Sequence, residues 1–190
     1  MITYPLQLQS FPLTDEQFFQ LCINNHDVRF ERNAQGDLII MSPTGGETGN
    51  RNGRLIQQLF NWTDKDGTGI AFDSSTGFKL PNGANRSPDA AWIPLEKWHA
   101  LTPQQRQRFL PLCLDFVIEL RSPSDKLSTI QEKMIEYRDN GTRLGLLINR
   151  QDRQVEIYRQ GQAVEVLLNP ASLLGEDVLP GFALNLELIW

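Results

Sequence analysis

Two cysteines and two histidines in 190 residues exclude a disulfide scaffold and a Cys/His zinc cluster. Cys22 and Cys113 sit in apolar neighbourhoods and read as buried free thiols, because an unpaired cysteine behaves as a small hydrophobe. His26 and His99 are too few to build a tetrahedral site around. No apolar run approaches the ~20 residues needed to span a bilayer. The opening MITYPLQLQSFPLTDEQ lacks a basic start followed by an apolar stretch, so the expectation is a cytoplasmic protein with no signal peptide and no membrane partner. There is no repeat, low-complexity tract or linker. Positive charge is also scarce: 18 Lys+Arg stand against 23 Asp+Glu, for a net charge of -5 and a pI near 5.1. Proteins that hold nucleic acid through phosphates alone are usually basic. The balance therefore counts against tight sequence-independent binding, while leaving room for a local basic groove or for cations that neutralise carboxylates.

The remaining composition, 40% hydrophobic and 22% charged, is that of a globular chain, and the length suits one domain over 1–190. Thr14, with Gln17 three residues later and Phe18, Leu21 and Cys22 at helical spacing, predicts a capped first helix. VRFER–NAQG–DLIIM reads as a hairpin turning at Gly36. A Pro/Gly loop follows, then a helix striped by Leu55, Ile56, Leu59 and Trp62. IAFDSSTGFKL reads as one strand, PNGANRSP as a turn and DAAWIP as a second strand. LTPQQRQRF reads as a helix with Thr102 as N-cap and Pro103 at its first position. DFVIEL, between Pro111 and Pro123, is a strand and central. SPSDKLSTIQEKMIEYRDNG is the clearest helix, with Leu127, Ile130, Met134 and Tyr137 on one face and Gly141 as its stop. RLGLLIN is a buried strand, QVEIYRQGQAVEVLL a hairpin near Gly161, and VLPGFALNLELIW loop plus a final strand. The class is mixed α/β.

Four charged residues stand out. Asp89 opens DAAWIP directly after Pro88. Glu119 lies inside DFVIEL, where alternation places it with Val117 and opposite Phe116 and Ile118. A carboxylate in so apolar a strand is costly to bury unless paired or metal-bound. Lys133 borders the apolar face of the long helix, where it can reach over a carboxylate of the sheet beneath. Glu47 starts the helix after the Gly-rich loop. Each has a plain structural reading by itself: Asp89 as a strand-end cap, Glu119 as a salt-bridged edge residue, Lys133 as a snorkelling surface cation, Glu47 as a favourable first-turn charge. Two carboxylates from adjacent strands plus a lysine, as Asp89, Glu119 and Lys133 offer, are about the smallest kit for phosphodiester hydrolysis. Carboxylates hold a divalent cation that polarises the phosphoryl oxygen and lowers the pKa of bound water, and a fixed cation offsets developing charge.

RSPDAAWI, DFVIELRSPSD and QEKMIEYRDNGTRLGLLIN, in that order and supported by GGETGNRNGRL and VLPGF, resemble the bacterial family called Uma-two, whose members are described as restriction-endonuclease-like. The resemblance covers nearly the whole chain. It implies the restriction-endonuclease-like fold of the PD-(D/E)XK nucleases, a central mixed sheet flanked by helices, and cleavage of DNA with Mg²⁺ or Mn²⁺. On the motif, Asp89 is the PD aspartate and Glu119 the acidic residue of (D/E)XK, both metal ligands, with the Leu120 carbonyl completing the set. The position two after Glu119 holds Arg121 where the superfamily has lysine. Arginine stays protonated and cannot serve as a base, so the resemblance puts the catalytic lysine on the next helix at Lys133 and leaves Arg121 for phosphate binding. Glu47 matches a helix acid of many superfamily members.

Two readings from different classes follow. The first is a metal-dependent DNA endonuclease. The second is a catalytically inactive or regulatory module, binding nucleic acid or protein on the same fold. A phosphoesterase acting on RNA or nucleotides uses the same parts as the first. Superfamily analogy and the apolar tail LNLELIW also suggest a homodimer, unless Leu188, Ile189 and Trp190 simply finish the core.

Overall fold

A computed structural model describes residues 13–190; the reading of the extreme N-terminus lies outside them. Helix α1 (Asp15–Asn24) starts at the expected capping box, in which the Thr14 hydroxyl accepts from the Gln17 amide and the Gln17 side chain accepts from the Thr14 amide. The hairpin follows as β1 (Arg29–Arg32) and β2 (Leu38–Met41), paired antiparallel with Gly36 at φ 91° in the turn. Helix α2 (Gly46–Asp66) runs 21 residues to Gly67, whose left-handed φ of 71° lets its amide cap Thr63. Then come β3 (Gly69–Asp73), β4 (Phe78–Lys79), β5 (Asn85–Arg86), β6 (Ala90–Pro94), α3 (Leu95–Ala100), α4 (Pro103–Arg106), β7 (Phe116–Leu120), α5 (Leu127–Asp139), β8 (Leu144–Asn149), β9 (Gln154–Arg159), β10 (Glu165–Leu168), β11 (Ser172–Leu174) and β12 (Ala183–Asn185).

The central sheet has the order β10-β9-β8-β7-β6-β3. Only β7 and β8 are parallel, joined by the α5 crossover; the other neighbours are antiparallel, so the sheet is mixed. β7 is central as expected, and all five of its residues are buried. Its alternation splits the core in two. Phe116, Ile118 and Leu120 pack with Leu55 and Leu59 of α2 on one face. Val117 packs on the other face with Leu147, Met134 and Tyr137. Among the described residues no helix is long and apolar enough to cross a membrane.

Four local expectations change. IAFDSSTGFKL is not one strand. The Asp73 carboxylate accepts from the Ser75 amide at 3.1 Å and its hydroxyl at 2.7 Å, an Asx-type turn that ends β3 and sends β4 into a second sheet, ordered β2-β1-β5-β4. PNGANRSP is not only a turn: Gly83, at φ 90°, reverses the chain so that β5 pairs with both β4 and β1. The expected LTPQQRQRF helix shortens to α4, still capped by Thr102, and the unforeseen α3 precedes it, its Trp98 carbonyl and ring both covered by Arg106. The tail is no exposed apolar surface, because Leu184, Leu186 and Ile189 are fully buried and Trp190 packs on the core, leaving Leu188 outside. Cys113 is buried and Cys22 half-buried, both unpaired.

Candidate active site

Because β6 runs antiparallel to β7, with Ala90 opposite Ile118, the residue before β6 and the residues ending β7 share one edge of the sheet. Asp89 stands there, half-buried. Its Oδ2 accepts from the Leu120 amide at 2.8 Å and its Oδ1 from Asn52 Nδ2 at 2.9 Å. Burial pushes its carboxyl above the ordinary aspartate range against those two donors. Asn52 sits three and seven residues before Leu55 and Leu59, on the buried face of α2. Its own Oδ1 is buried without a hydrogen-bond partner.

Glu119 is buried and faces α5. Its Oε1 accepts from Tyr137 Oη at 3.1 Å and lies 2.8 Å from Lys133 Nζ. Burial raises its carboxyl to about 7; Lys133 opposes the shift, while Asp89 and Glu31 add to it. Burial also works against the charge on Lys133, yet Glu119 and Glu31 outweigh it and hold the ammonium above its ordinary value. Burial and the same two carboxylates lift Tyr137 well above the usual phenol, so it stays a donor.

Glu31 is the component that the sequence hid. In the β1 hairpin the apolar Phe30 is half-buried while the successive charged residues Glu31 and Arg32 are both buried, a pattern that alternation does not predict. The cause is a polar seam between the small sheet and α5. Glu31 Oε1 accepts from Lys133 Nζ at 2.8 Å and from the Ser87 amide at 2.9 Å, and its Oε2 from Arg86 at 3.0 Å. Arg86 in turn reaches Glu136 of α5 at 2.5 Å. Burial works against the Glu31 charge, but Lys133 and Arg86 prevail and keep its pKa below normal. Ser87 is two residues from Asp89, so this seam ties the segment carrying Asp89 to the helix carrying Lys133. The one sequence signal for Asn52 was a polar residue in register with an apolar stripe; for Glu31 there was none.

Of the residues singled out in the sequence, Asp89, Glu119, Leu120 and Lys133 come together. Arg121 turns aside: its guanidinium donates to Asn149 Oδ1 at 3.0 Å and to the Asp125 carbonyl at 3.3 Å. Glu47 is exposed, in the first turn of α2, with Arg150 at 3.6 Å; Asn52 is the residue of that helix that touches Asp89.

Asp89, Glu119, Glu31 and Glu136 oppose Lys133 and Arg86, four carboxylates to two cations, so the centre carries excess negative charge when all are ionised. Among the described residues no three His, Cys, Asp or Glu side chains converge as a metal cluster. Two features nevertheless suit a hard divalent cation that keeps several waters. The donors are all oxygen, and the buried Asn52 Oδ1 beside Asp89 has a lone pair with nothing to accept.

A parallel strand pair bridged by a helix, with carboxylates at the sheet edge and a lysine over them, is the arrangement of a restriction-endonuclease-like fold. A family model described as "Putative restriction endonuclease", Uma2, matches residues 15–187, and the chain belongs to that family. The chain is similar in structure to a protein from Anabaena variabilis, described as a putative nuclease belonging to DUF820, with a TM-score of 0.77 at 17% identity, covering 94% of this chain and 98% of that one. No curated protein matches the chain.

Proposed function

We propose that the protein is a metal-dependent nuclease that hydrolyses a phosphodiester bond of DNA, with Asp89, Glu119 and Lys133 at its centre. The supporting observation is the meeting of buried Glu119 and half-buried Asp89, two mutually repelling carboxylates, with one lysine at a sheet edge. Asp89, Glu119, the Leu120 carbonyl and Asn52 Oδ1 are the oxygens that would hold Mg²⁺ or Mn²⁺, which when bound polarises the phosphoryl oxygen and supplies an acidified water. The chain's own residues do the rest. The Leu120 amide and Asn52 fix the Asp89 carboxylate, and Tyr137 orients Glu119 by donating to it. Lys133, kept protonated by Glu119 and Glu31, offers its charge to the phosphoryl oxygens as negative charge develops on them. Arg121 and Arg150 stand at the ends of β7 and β8 on the same edge and provide local positive charge for the phosphate backbone in an acidic protein. Glu47, one and a half turns before Asn52, is an outer acid of the same edge. We assign the reaction to the cytoplasm, where Mg²⁺ and DNA are both at hand.

The test is Mn²⁺ titration calorimetry with nicking of supercoiled plasmid, comparing wild type with Glu119→Gln. The expected result is metal binding and nicking by wild type, with loss of both in the variant. Equal Mn²⁺ affinity in the two proteins would remove Glu119 from the metal site. Metal binding without nicking by wild type would favour the binding-module reading, which the net charge of -5 supports. Cleavage of RNA or nucleotides in place of plasmid would move the substrate class.

A further inference from the structure

β10 ends the central sheet, and among the described residues no strand pairs with its outer edge. The opposite end is guarded, since β3 has only Asp73 exposed. β10 is exposed along its length except at Leu167, and Val164, Val166 and Leu168 are 36%, 51% and 72% exposed. Natural edge strands are usually blunted by lysine, proline or a free charge. The segment 164–168, VEVLL, has neither residue, and its single charge, Glu165, is paired with Arg159 at 2.8 Å.

The backbone states which groups are unpaired. The Asn169 amide donates to the Arg153 carbonyl of the neighbouring strand side. In a trans peptide the C=O and N–H point opposite ways, so the Leu168 carbonyl points out of the sheet. By the alternation of an antiparallel ladder, the N–H and C=O groups of Val166 point out with it, and extending the strand by one residue beyond β10 brings those of Val164 to the same edge. The same residues place their side chains on the α5 face: Val166 and Leu168 oppose Glu156 and Gln154, and α5 reaches Glu156 through Gln131 at 2.7 Å. Ile135, one turn along α5 from Gln131, is 40% exposed.

We infer that β10 is a homodimer interface, pairing antiparallel with β10 of a second copy so that the two Val166 residues face each other. This register sets each Val164 against a Leu168 and makes three pairs of outward-pointing residues, each able to exchange two hydrogen bonds. It buries Val164, Val166 and Leu168 of both copies side by side, and Glu165 faces Leu167. Sliding by two residues one way sets Glu165 against Glu165, like charges directly opposed. Sliding the other way sets Val164 against Pro170, which has no N–H, and loses a pair. The self-complementary register about a two-fold axis selects a second copy as the occupant, with both sheets continuing as one. The assignment is independent of the nuclease reading.

Sedimentation equilibrium at tens of micromolar protein tests it. Wild type is expected at twice the chain mass of 21.7 kDa. Val166→Pro deletes an N–H that points away from β9, so the strand keeps its own ladder while two central inter-copy bonds vanish, raising the dissociation constant roughly tenfold or more. Leu168→Lys leaves the backbone intact and puts two cations into the seam. Both variants are expected as monomers with unchanged circular dichroism and melting. A monomeric wild type at that concentration overturns the interface, as do two correctly folded variants that stay dimeric. Metal binding is not read in this experiment, so failure here leaves the nuclease proposal untouched, and loss of that proposal leaves the interface standing.

Discussion

Lys133 Nζ lies 2.8 Å from both Glu31 and Glu119, and the two carboxylates contribute to stability with opposite signs. Glu119 is raised from 4.5 to about 7. Between those values the folded protein holds a proton that the unfolded chain has released, so stability falls as pH rises through that window. Glu119→Gln is therefore expected to stabilise the protein at pH 8, on the order of 1–3 kcal/mol, with the gain closing toward pH 5, where Glu119 is already neutral in the folded state. Glu31 is lowered, so its contribution is present above its unfolded pKa and is lost on acidification. Glu31→Gln strands Arg86 and part of Lys133 in a buried seam and is expected to cost roughly 3 kcal/mol at neutral pH. Urea denaturation of both variants at pH 5 and pH 8 reads the two signs; a destabilised Glu119→Gln at pH 8 refutes the account of Glu119 as a charge held for function.

At the scale of elements, the proposed function turns on which of two supports carries the cation that would meet the phosphate. Arg121 follows the end of β7, two residues after Glu119, but the loop before α5 and the end of β8 occupy its guanidinium. α5 crosses the same strand pair and brings Lys133 down onto Glu119. It can lie that close because position 145 of β8 is glycine: a Cβ there would stand 2.6 Å from the Met134 methyl, one residue from Lys133. Lys133→Met keeps length and packing but deletes the charge, and is expected to lower plasmid nicking by roughly 10²–10³. Arg121→Met is expected to stay within about tenfold, the size of one lost phosphate contact. A dead Arg121→Met beside an active Lys133→Met would return the role to the strand.

Across the whole molecule, the proposed metal binding would be linked to folding. A divalent cation that enters only the folded centre stabilises it by about 2.7 kcal/mol at a hundred times its dissociation constant. For a chain of this size that raises the melting temperature by roughly 5–10 °C. Mn²⁺ is expected to do so for wild type and to leave Asp89→Asn and Glu119→Gln unmoved. A rise of equal size in all three would place the ion elsewhere. Excess carboxylate at the centre and net acidity overall pull in the same direction here: on the proposed function, a bound cation would be the counter-ion that lets a polyanion approach.

Much of this was written in local order. The α2 and α5 stripes, the apolar β7 and β8 and the Thr14 and Thr102 boxes are short-range signals, each set by the 3.6- or 2-residue period or by an orphan amide needing a cap. The PD and ELRSPSD segments carried Asp89, Glu119 and the departure at Arg121. Other features depend on residues far apart in the chain, whose cost of meeting is met by packing that no window of sequence contains. Glu31 is buried because Lys133, 102 positions later, and Arg86 neutralise it. Asn52 matters because α2 lies across the start of β6. The strand expected through Asp73 divides because its second half has partners in a different sheet. β10 reads as half of an ordinary hairpin, and only the strand order shows that none of the described strands returns to cover its outer edge. Periodicity decides which side of an element is apolar; which charges that side will meet is decided only when the layers close.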